Sequence, residues 1–452
     1  MAKRPTSARH PERLTLGFHP RVFSALGSDL VTNDLVAITE LVKNAYDAFA
    51  SIVEVRFGTD EDGDFIEILD DGHGMSRKIL RDVWCVVATP YREEMPKARK
   101  GRRTRRATGE KGLGRLSAAR LGDRLELVTK SKDQTCWKID ADWEAISRAT
   151  RIEDCSVSIS RYEDNVPFAD TGTRLRIHEL KSEWDSERLD ELMEHLARLI
   201  PPFEVNGDSS RTQFSIQLAR SDEDSELAEI EPPEFLNDPK YKIRGLVDWQ
   251  GTIEWSYTFT PIGDDKARRS KQGHRTWREQ TEDKLLSTAL RSIDLPKCGP
   301  FAFEIRAWDI DVEGISDIAT TYEIRKQSIR AAIKAHKGIS LYRDGVLVLP
   351  KSESARDWLG LDRRRISDVG KRMSTTQMVG YVSISADTNP RLKDTSDRER
   401  LVDEKEVRAF EHIIRQIVVV LENERQKDRL EKETAEPQIK ELFSAVSGKQ
   451  LV

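Results

Sequence analysis

Residues 40–48 read ELVKNAYDA, and this stretch decides how the rest of the chain is read. Glu40, Asn44 and Asp47 are spaced four and three apart, so they share one face of a helix. Leu41, Val42 and Ala45 take the other side, where they can pack on a sheet. Thr32, Asn33 and Asp34 supply N-cap chemistry just upstream, and the spacing predicts a helix running to about Phe49. A polar stripe on an amphipathic helix is ordinarily its solvated face. The alternative is a carboxylate that orients water beside an amide oxygen that ligates Mg²⁺, a hard cation that prefers oxygen.

Downstream, VEVRFG (53–58) and FIEILD (65–70) are predicted to form a hairpin, and the second strand runs straight into DDGHGM, residues 70–75. Two glycines flanking one residue allow a sharp turn and a close approach to a ligand. A carboxylate at the strand end can accept from an exocyclic amine while Met75 packs against a flat ring; the plain alternative is a strand-to-helix turn. Next comes TGEKGLGRLSAARLG, residues 108–122, where Gly109, Gly112 and Gly114 precede a predicted helix at 113–121 and Lys111 and Arg115 add positive charge. Such a turn can hold phosphate oxygens on backbone N–H groups. It matches neither a Walker A loop nor a Rossmann fingerprint, because it lacks the GK[ST] ending and a preceding strand. Last is TGTRLRIHEL, residues 171–180, a tight turn into a strand where the Thr173 hydroxyl can reach a base.

Taken singly, each box has an ordinary structural explanation. Taken in order, E-x3-N-x2-D on a helix, D-x-G-x-G after a strand, G-x2-G-x-G after a long basic segment, and T-G-T resemble the GHKL superfamily, which includes gyrase B subunits, MutL, histidine kinases, the ninety-kilodalton heat-shock chaperone and MORC proteins. The resemblance covers about residues 14–200 and implies a Bergerat-type α/β sandwich that binds ATP and Mg²⁺. It implies Glu40 as the general base for the attacking water and Asn44 as the Mg²⁺ ligand. Asp71 is implied as the carboxylate accepting from the adenine amino group, with Gly74, Met75 and Thr173 completing that pocket. Asp47, Lys111, Gly112, Leu113, Gly114 and Arg115 match the pocket wall and phosphate loop. Residues 88–108 become an ATP lid, whose basic run KARKGRRTRR (97–106) can neutralise phosphates, grip nucleic acid or face solvent.

The predicted domain order is a flexible arm at 1–13, the ATPase domain at 14–202 ending at Pro201-Pro202, and a weakly patterned connector at 203–240. A transducer-like α/β domain at 241–401 and a C-terminal helix and tail at 402–452 follow. Asp344-Gly345 inside ISLYRDGVLVL predicts a type I′ hairpin turn, and Gly338 a helix stop. Segments of 338–401 look like those of MORC-like ATPases, in which a second domain donates a lysine to the γ-phosphate. Lys393, on a predicted loop after strand 378–386, is the candidate. Val407, Phe410, Ile414, Ile417 and Leu421 form a helical stripe that suits packing on its own domain or dimerisation. The resemblance implies an ATP-driven homodimer, with DNA or an effector protein as partner, and a histidine kinase or a chaperone-like ATPase as alternatives.

Composition fits these expectations. Seventy-four Lys and Arg against 79 Asp and Glu leave a net charge of −5, too balanced for a chain coated throughout by nucleic acid. Cys85, Cys136, Cys155 and Cys298 lie far apart without metal-ligand spacing, which suits reduced, buried thiols and a cytoplasmic protein. No signal-like segment occurs, and the longest apolar run, Ile417 to Leu421, is far short of a membrane span.

Overall fold

A computed structural model describes residues 19–22, 33–87, 89, 91, 97–100, 103–106, 116–132, 135–163, 165–203, 214–220, 227–261, 268–279, 290, 294–350, 355–366, 368, 370–393 and 400–447. Helix α1 spans Asp34–Asp47, and the Asn33 side chain caps it by accepting the Val36 N–H at 2.8 Å. Its apolar face, Ala37, Ile38, Leu41, Val42 and Ala45, is buried against strands β1 (Ile52–Asp60) and β2 (Gly63–Asp70). A short hairpin follows, β3 (Lys97–Lys100) and β4 (Arg103–Arg106), within the stretch read from sequence as a long loop. Helix α2 (Ser117–Leu121) then leads into β5 (Gly122–Lys130), β6 (Cys136–Asp142), β7 (Ser158–Arg161) and β8 (Gly172–Leu180), and helix α3 covers Ser186–Ala197.

Within the predicted connector at 203–240, residues 215–219 and 228–229 belong to this sheet. Strands β9 (Ser215–Ala219) and β10 (Ala228–Glu229) complete an eight-stranded order β10-β9-β1-β2-β8-β5-β6-β7, with β9 parallel to β1. Ile216 and Leu218 alternate into the core, and Phe203, Phe214, Phe235 and Leu236 are buried around them. The acidic residues and prolines on either side hide that five-residue alternation when the segment is read as a whole. One face of the sheet packs on α1, α2 and α3. The other carries ion pairs across strands, Arg176–Glu67 at 2.7 Å and Arg174–Glu126 at 2.5 Å, as expected for a solvated face.

The second half builds a seven-stranded sheet, β13-β12-β11-β14-β17-β15-β16. Its strands are β11 (Tyr241–Val247), β12 (Thr252–Phe259), β13 (Arg269–Thr276), β14 (Phe301–Ala307), β15 (Gly338–Arg343), β16 (Val346–Leu349) and β17 (Met378–Ile384). Helices α4 (Val312–Thr321) and α5 (Lys326–His336) connect β14 to β15. Asp344 and Gly345 have φ of 51° and 87°, the positive values a type I′ turn needs, and Gly338 ends α5 at φ 88°. Helix α6 runs from Lys405 to Ser447, 43 residues or about 65 Å at 1.5 Å per residue. Its stripe of Val407, Phe410, Ile414, Ile417 and Leu421 is fully used inside the second core. Arg269 adds bonds to Glu424 and Asp428, and the Tyr257 hydroxyl donates to Asp428.

The two halves share a core that continues from α1 and β1 into Trp308, Ile315, Tyr342, Val379 and Tyr381. Polar contacts secure the junction. Tyr342 donates to the Arg198 C=O at 2.9 Å, Arg198 donates to the Pro350 C=O at 3.0 Å, and the Tyr46 hydroxyl on α1 donates to the Asp344 C=O at 2.5 Å. Cys136 and Cys298 are buried, but Cys85 is exposed, contrary to the expectation of buried thiols throughout. No described helix is long and apolar enough to cross a membrane.

Candidate functional site

Strand register creates the floor of the site. Asp70 on β2 stands opposite Thr173 on β8, and Thr173 stands opposite Thr129 on β5, so three polar side chains form one row across three strands. The row continues Ile66 and Ile68, which face α1, and so opens on the helix-covered side of the sheet. Thr129 is fully buried; its Oγ1 donates to the Gly172 C=O at 3.0 Å, lies 3.1 Å from Thr173 Oγ1 and accepts the Met75 N–H at 2.9 Å. The Gly72 N–H donates to Asp70 Oδ1 at 2.8 Å. Burial pushes the Asp70 carboxyl up to about 7, against the lowering effect of the Gly72 N–H and with a further push from the adjacent Asp71 charge.

This geometry corrects the assignment of Asp71. Its Oδ1 accepts the N–H groups of Ser51 at 2.6 Å and Ile52 at 2.9 Å, and the residue is exposed. Side chains alternate along a strand, so of two successive aspartates at its end one can join the row with Thr173. That one is Asp70, and Asp71 instead splices β2 to the start of β1. Asp70 is the first position of D-x-G-x-G and keeps phase with Ile66 and Ile68. Thr129 likewise extends the alternation of Leu125 and Leu127, a polar residue at the end of an apolar row.

The loop after Asp70 is fastened to the end of α1, because the His73 N–H donates to the Ala48 C=O at 2.8 Å. Thr171 closes it from the other side by donating to the Gly72 C=O at 2.7 Å. Gly74 has φ of 61°, and a Cβ there would lie 1.9 Å from the Lys130 C=O; a Cβ on Gly172 would lie 2.3 Å from the Asp70 C=O. These two positions let the loop and the ends of β2, β5 and β8 pack backbone against backbone, which a side chain at either would prevent. Met75 is half-buried and packs with Leu80 and Leu127.

On α1, Glu40 and Asn44 are half-buried and Asp47 is buried, all on the polar face. Glu40 faces Lys43, a buried residue that the sequence reading passed over, with Nζ 3.5 Å from Oε1. Carboxylate and amide oxygens are the ligand types that Mg²⁺ prefers. Asp34, buried in the first turn, pairs with Arg120 on α2 at 3.0 Å and with Arg188, so the helix that follows the glycine loop is tied to α1. Gly109, Lys111, Gly112, Leu113, Gly114 and Arg115 themselves lie outside the described residues.

Arg105 of β4 does not stand out from sequence because it is one of seven basic residues in the ten from 97 to 106. It is buried, 4.3 Å over the Tyr46 ring and 4.6 Å over Phe49, and it donates to the Ala50 C=O at 2.5 Å. The basic hairpin is therefore pinned at the end of α1, beside the Tyr46–Asp344 contact. Lys393 is exposed on the loop after β17, and Arg343 reaches that loop through the Leu392 C=O at 2.6 Å. A separate cavity of about 530 Å³ lies on the second sheet, lined by Leu246, Trp249, Phe301 and Asp344 among others.

Residues 32–173 match the family model described as Histidine kinase-, DNA gyrase B-, and HSP90-like ATPase. This segment is a GHKL-superfamily ATPase domain. The match begins one residue before the cap of α1 and ends at Thr173, so it encloses the site. The sheet strands β9 and β10 and the whole second half lie beyond it. No curated protein matches the chain.

Proposed function

We propose that the chain binds ATP with Mg²⁺ in this pocket and hydrolyses it, and that hydrolysis switches the contact between its two halves. The observation that supports this best is the Asp70–Thr173–Thr129 row, whose following loop is fastened to the end of the helix that carries Glu40 and Asn44. Asp70 accepts from the adenine amino group, and Thr173 and Thr129 order the base edge. Asn44 would hold Mg²⁺, whose charge offsets that of the phosphates. Glu40 orients water and takes its proton, while phosphate oxygens meet the backbone of the 109–114 glycine loop. Lys111 and Arg115, and Lys393 from the second domain, add positive charge.

The switch rests on Tyr46. It sits one residue from Asp47, underlies Arg105 of the basic hairpin and bonds the second domain at Asp344. A change at the lid or at the nucleotide therefore bears on one side chain that joins both halves. In this reading the second half is transducer-like, the chain resembles MORC or MutL ATPases, works in the cytoplasm and closes as a homodimer, with DNA or an effector protein as its partner. The stripe of α6 is consumed within its own domain, so closure uses other surfaces. A chaperone-like ATPase is the second reading. The histidine kinase alternative needs a phosphoacceptor histidine on a helix; His412 on α6 is buried against Gln416, which weighs against it.

A purified Glu40→Ala protein tests the proposal. It should retain ATP without turning it over, and when loaded with ATP and Mg²⁺ it should sediment as a dimer that co-migrates with DNA. Wild-type turnover in this variant would overturn the hydrolytic assignment. A monomer with bound ATP would overturn the clamp.

A further inference from the structure

Lys43 sits on α1 at 5% exposure, on the same face as Glu40, Asn44 and Asp47. Lysine is almost never buried to this degree unless it is paired. Among the described residues its polar partner is Glu40, with Nζ 3.5 Å from Oε1 and side-chain exposures of 6% and 15%. An exposed pair three residues apart on a helix would exchange freely with water and hold neither group in place. Here burial removes that freedom, because the ammonium can leave Glu40 only by losing its compensating charge.

We propose that Lys43 is the positioning residue for the water-activating carboxylate. Its ammonium holds Glu40 in one rotamer, aimed to accept a proton from water. Lys43 lies one turn of helix from Glu40, so the geometry is carried by α1 itself and is present before any nucleotide arrives. The proposal rests on the hydrolytic reading of Glu40 given above. It separates two properties of the site: ATP affinity, set by the Asp70 row and the loop that follows it, and turnover, set by the Lys43–Glu40 pair.

The test uses full-length Lys43→Met, Lys43→Arg and Glu40→Gln proteins, with ATP affinity and steady-state hydrolysis measured on each. Lys43→Met should keep ATP affinity within about threefold and lose about tenfold or more in kcat, the usual consequence of a misplaced catalytic group. Lys43→Arg, which restores a cation, should recover most of that loss. Should the Met variant not fold, Lys43→Gln takes its place with the same expected split. Wild-type kcat in the neutral variant, or equal losses of affinity and kcat, would overturn the inference. If Glu40→Gln itself turns over ATP at the wild-type rate, the hydrolytic reading fails and Lys43 with it. An inactive Glu40→Gln beside a fully active Lys43→Met would remove the Lys43 role alone.

Discussion

Asp70 offers a test in which stability and binding move in opposite directions. Without nucleotide, burial raises its carboxyl from 3.8 to about 7, so the folded protein holds a proton that the unfolded chain has released over that interval. Stability must then fall as pH rises from about 4 to about 7, because the folded state binds more protons than the unfolded one. At ~1.4 kcal/mol per tenfold change in proton affinity, the full interval corresponds to at most ~4 kcal/mol, and ~2 kcal/mol is expected for a side chain that keeps some solvent contact. Asp70→Asn removes this dependence, and urea unfolding without nucleotide at pH 5, 6, 7 and 8 should show a flatter profile than wild type. ATP acts the other way, since an amino donor favours the ionised carboxylate, so wild-type affinity should strengthen as pH rises through about 7. In Asp70→Asn the affinity should be weak at every pH. Asp71→Asn should leave ATP binding intact while weakening the bonds to the Ser51 and Ile52 N–H groups, a loss of roughly 1–3 kcal/mol. Equal pH slopes for wild type and Asp70→Asn, or loss of ATP binding in Asp71→Asn alone, would refute this account of the pocket.

Arg105→Ala should free the basic hairpin from the Tyr46 and Phe49 rings, at a cost of about 2 kcal/mol for a desolvated cation–π contact together with its carbonyl bonds. Tryptic cleavage within 97–106 should then accelerate at least tenfold or so over wild type; an unchanged rate would show that Arg105 does not anchor the hairpin. Gly74→Ala forces a methyl group onto the Lys130 carbonyl in a left-handed backbone, which should cost on the order of 3 kcal/mol and weaken ATP binding. A thermal midpoint and affinity equal to wild type would mean that the loop rearranges cheaply.

Several parts of the site could be read from the chain before its fold was seen. The polar face of α1 follows from the 3.6-residue period, its start from the Asn33 cap, and the tight backbone at Gly74 from a motif with two glycines. The Asp344-Gly345 turn was equally plain, since both residues tolerate positive φ. Which aspartate joins the row with Thr173 was not legible, because two adjacent aspartates end β2 and the choice between them depends on which face of the strand meets β8. The 203–240 segment was misread for a related reason. Its alternation is five residues long, and its value as a strand comes from the free edge of β1 that it covers. Lys43 and Arg105 were passed over because a lysine and an arginine among other charges look solvated, and burial is a property of what lies above them.

Local periodicity and turn chemistry are properties of neighbours in sequence, and these residues alone determined helix α1, the β1–β2 hairpin, the Asp344-Gly345 turn and the order of the four boxes. Tertiary structure decided what those elements do together. Cross-strand register put Thr129, Thr173 and Asp70 in one row. Burial of the polar face of α1 enclosed Lys43 beside Glu40. The docking of the second sheet brought Asp344 to Tyr46. The row and the Tyr46–Asp344 contact join residues tens or hundreds of positions apart, and the burial of the neighbouring Lys43 and Glu40 likewise depends on the whole core closing around them.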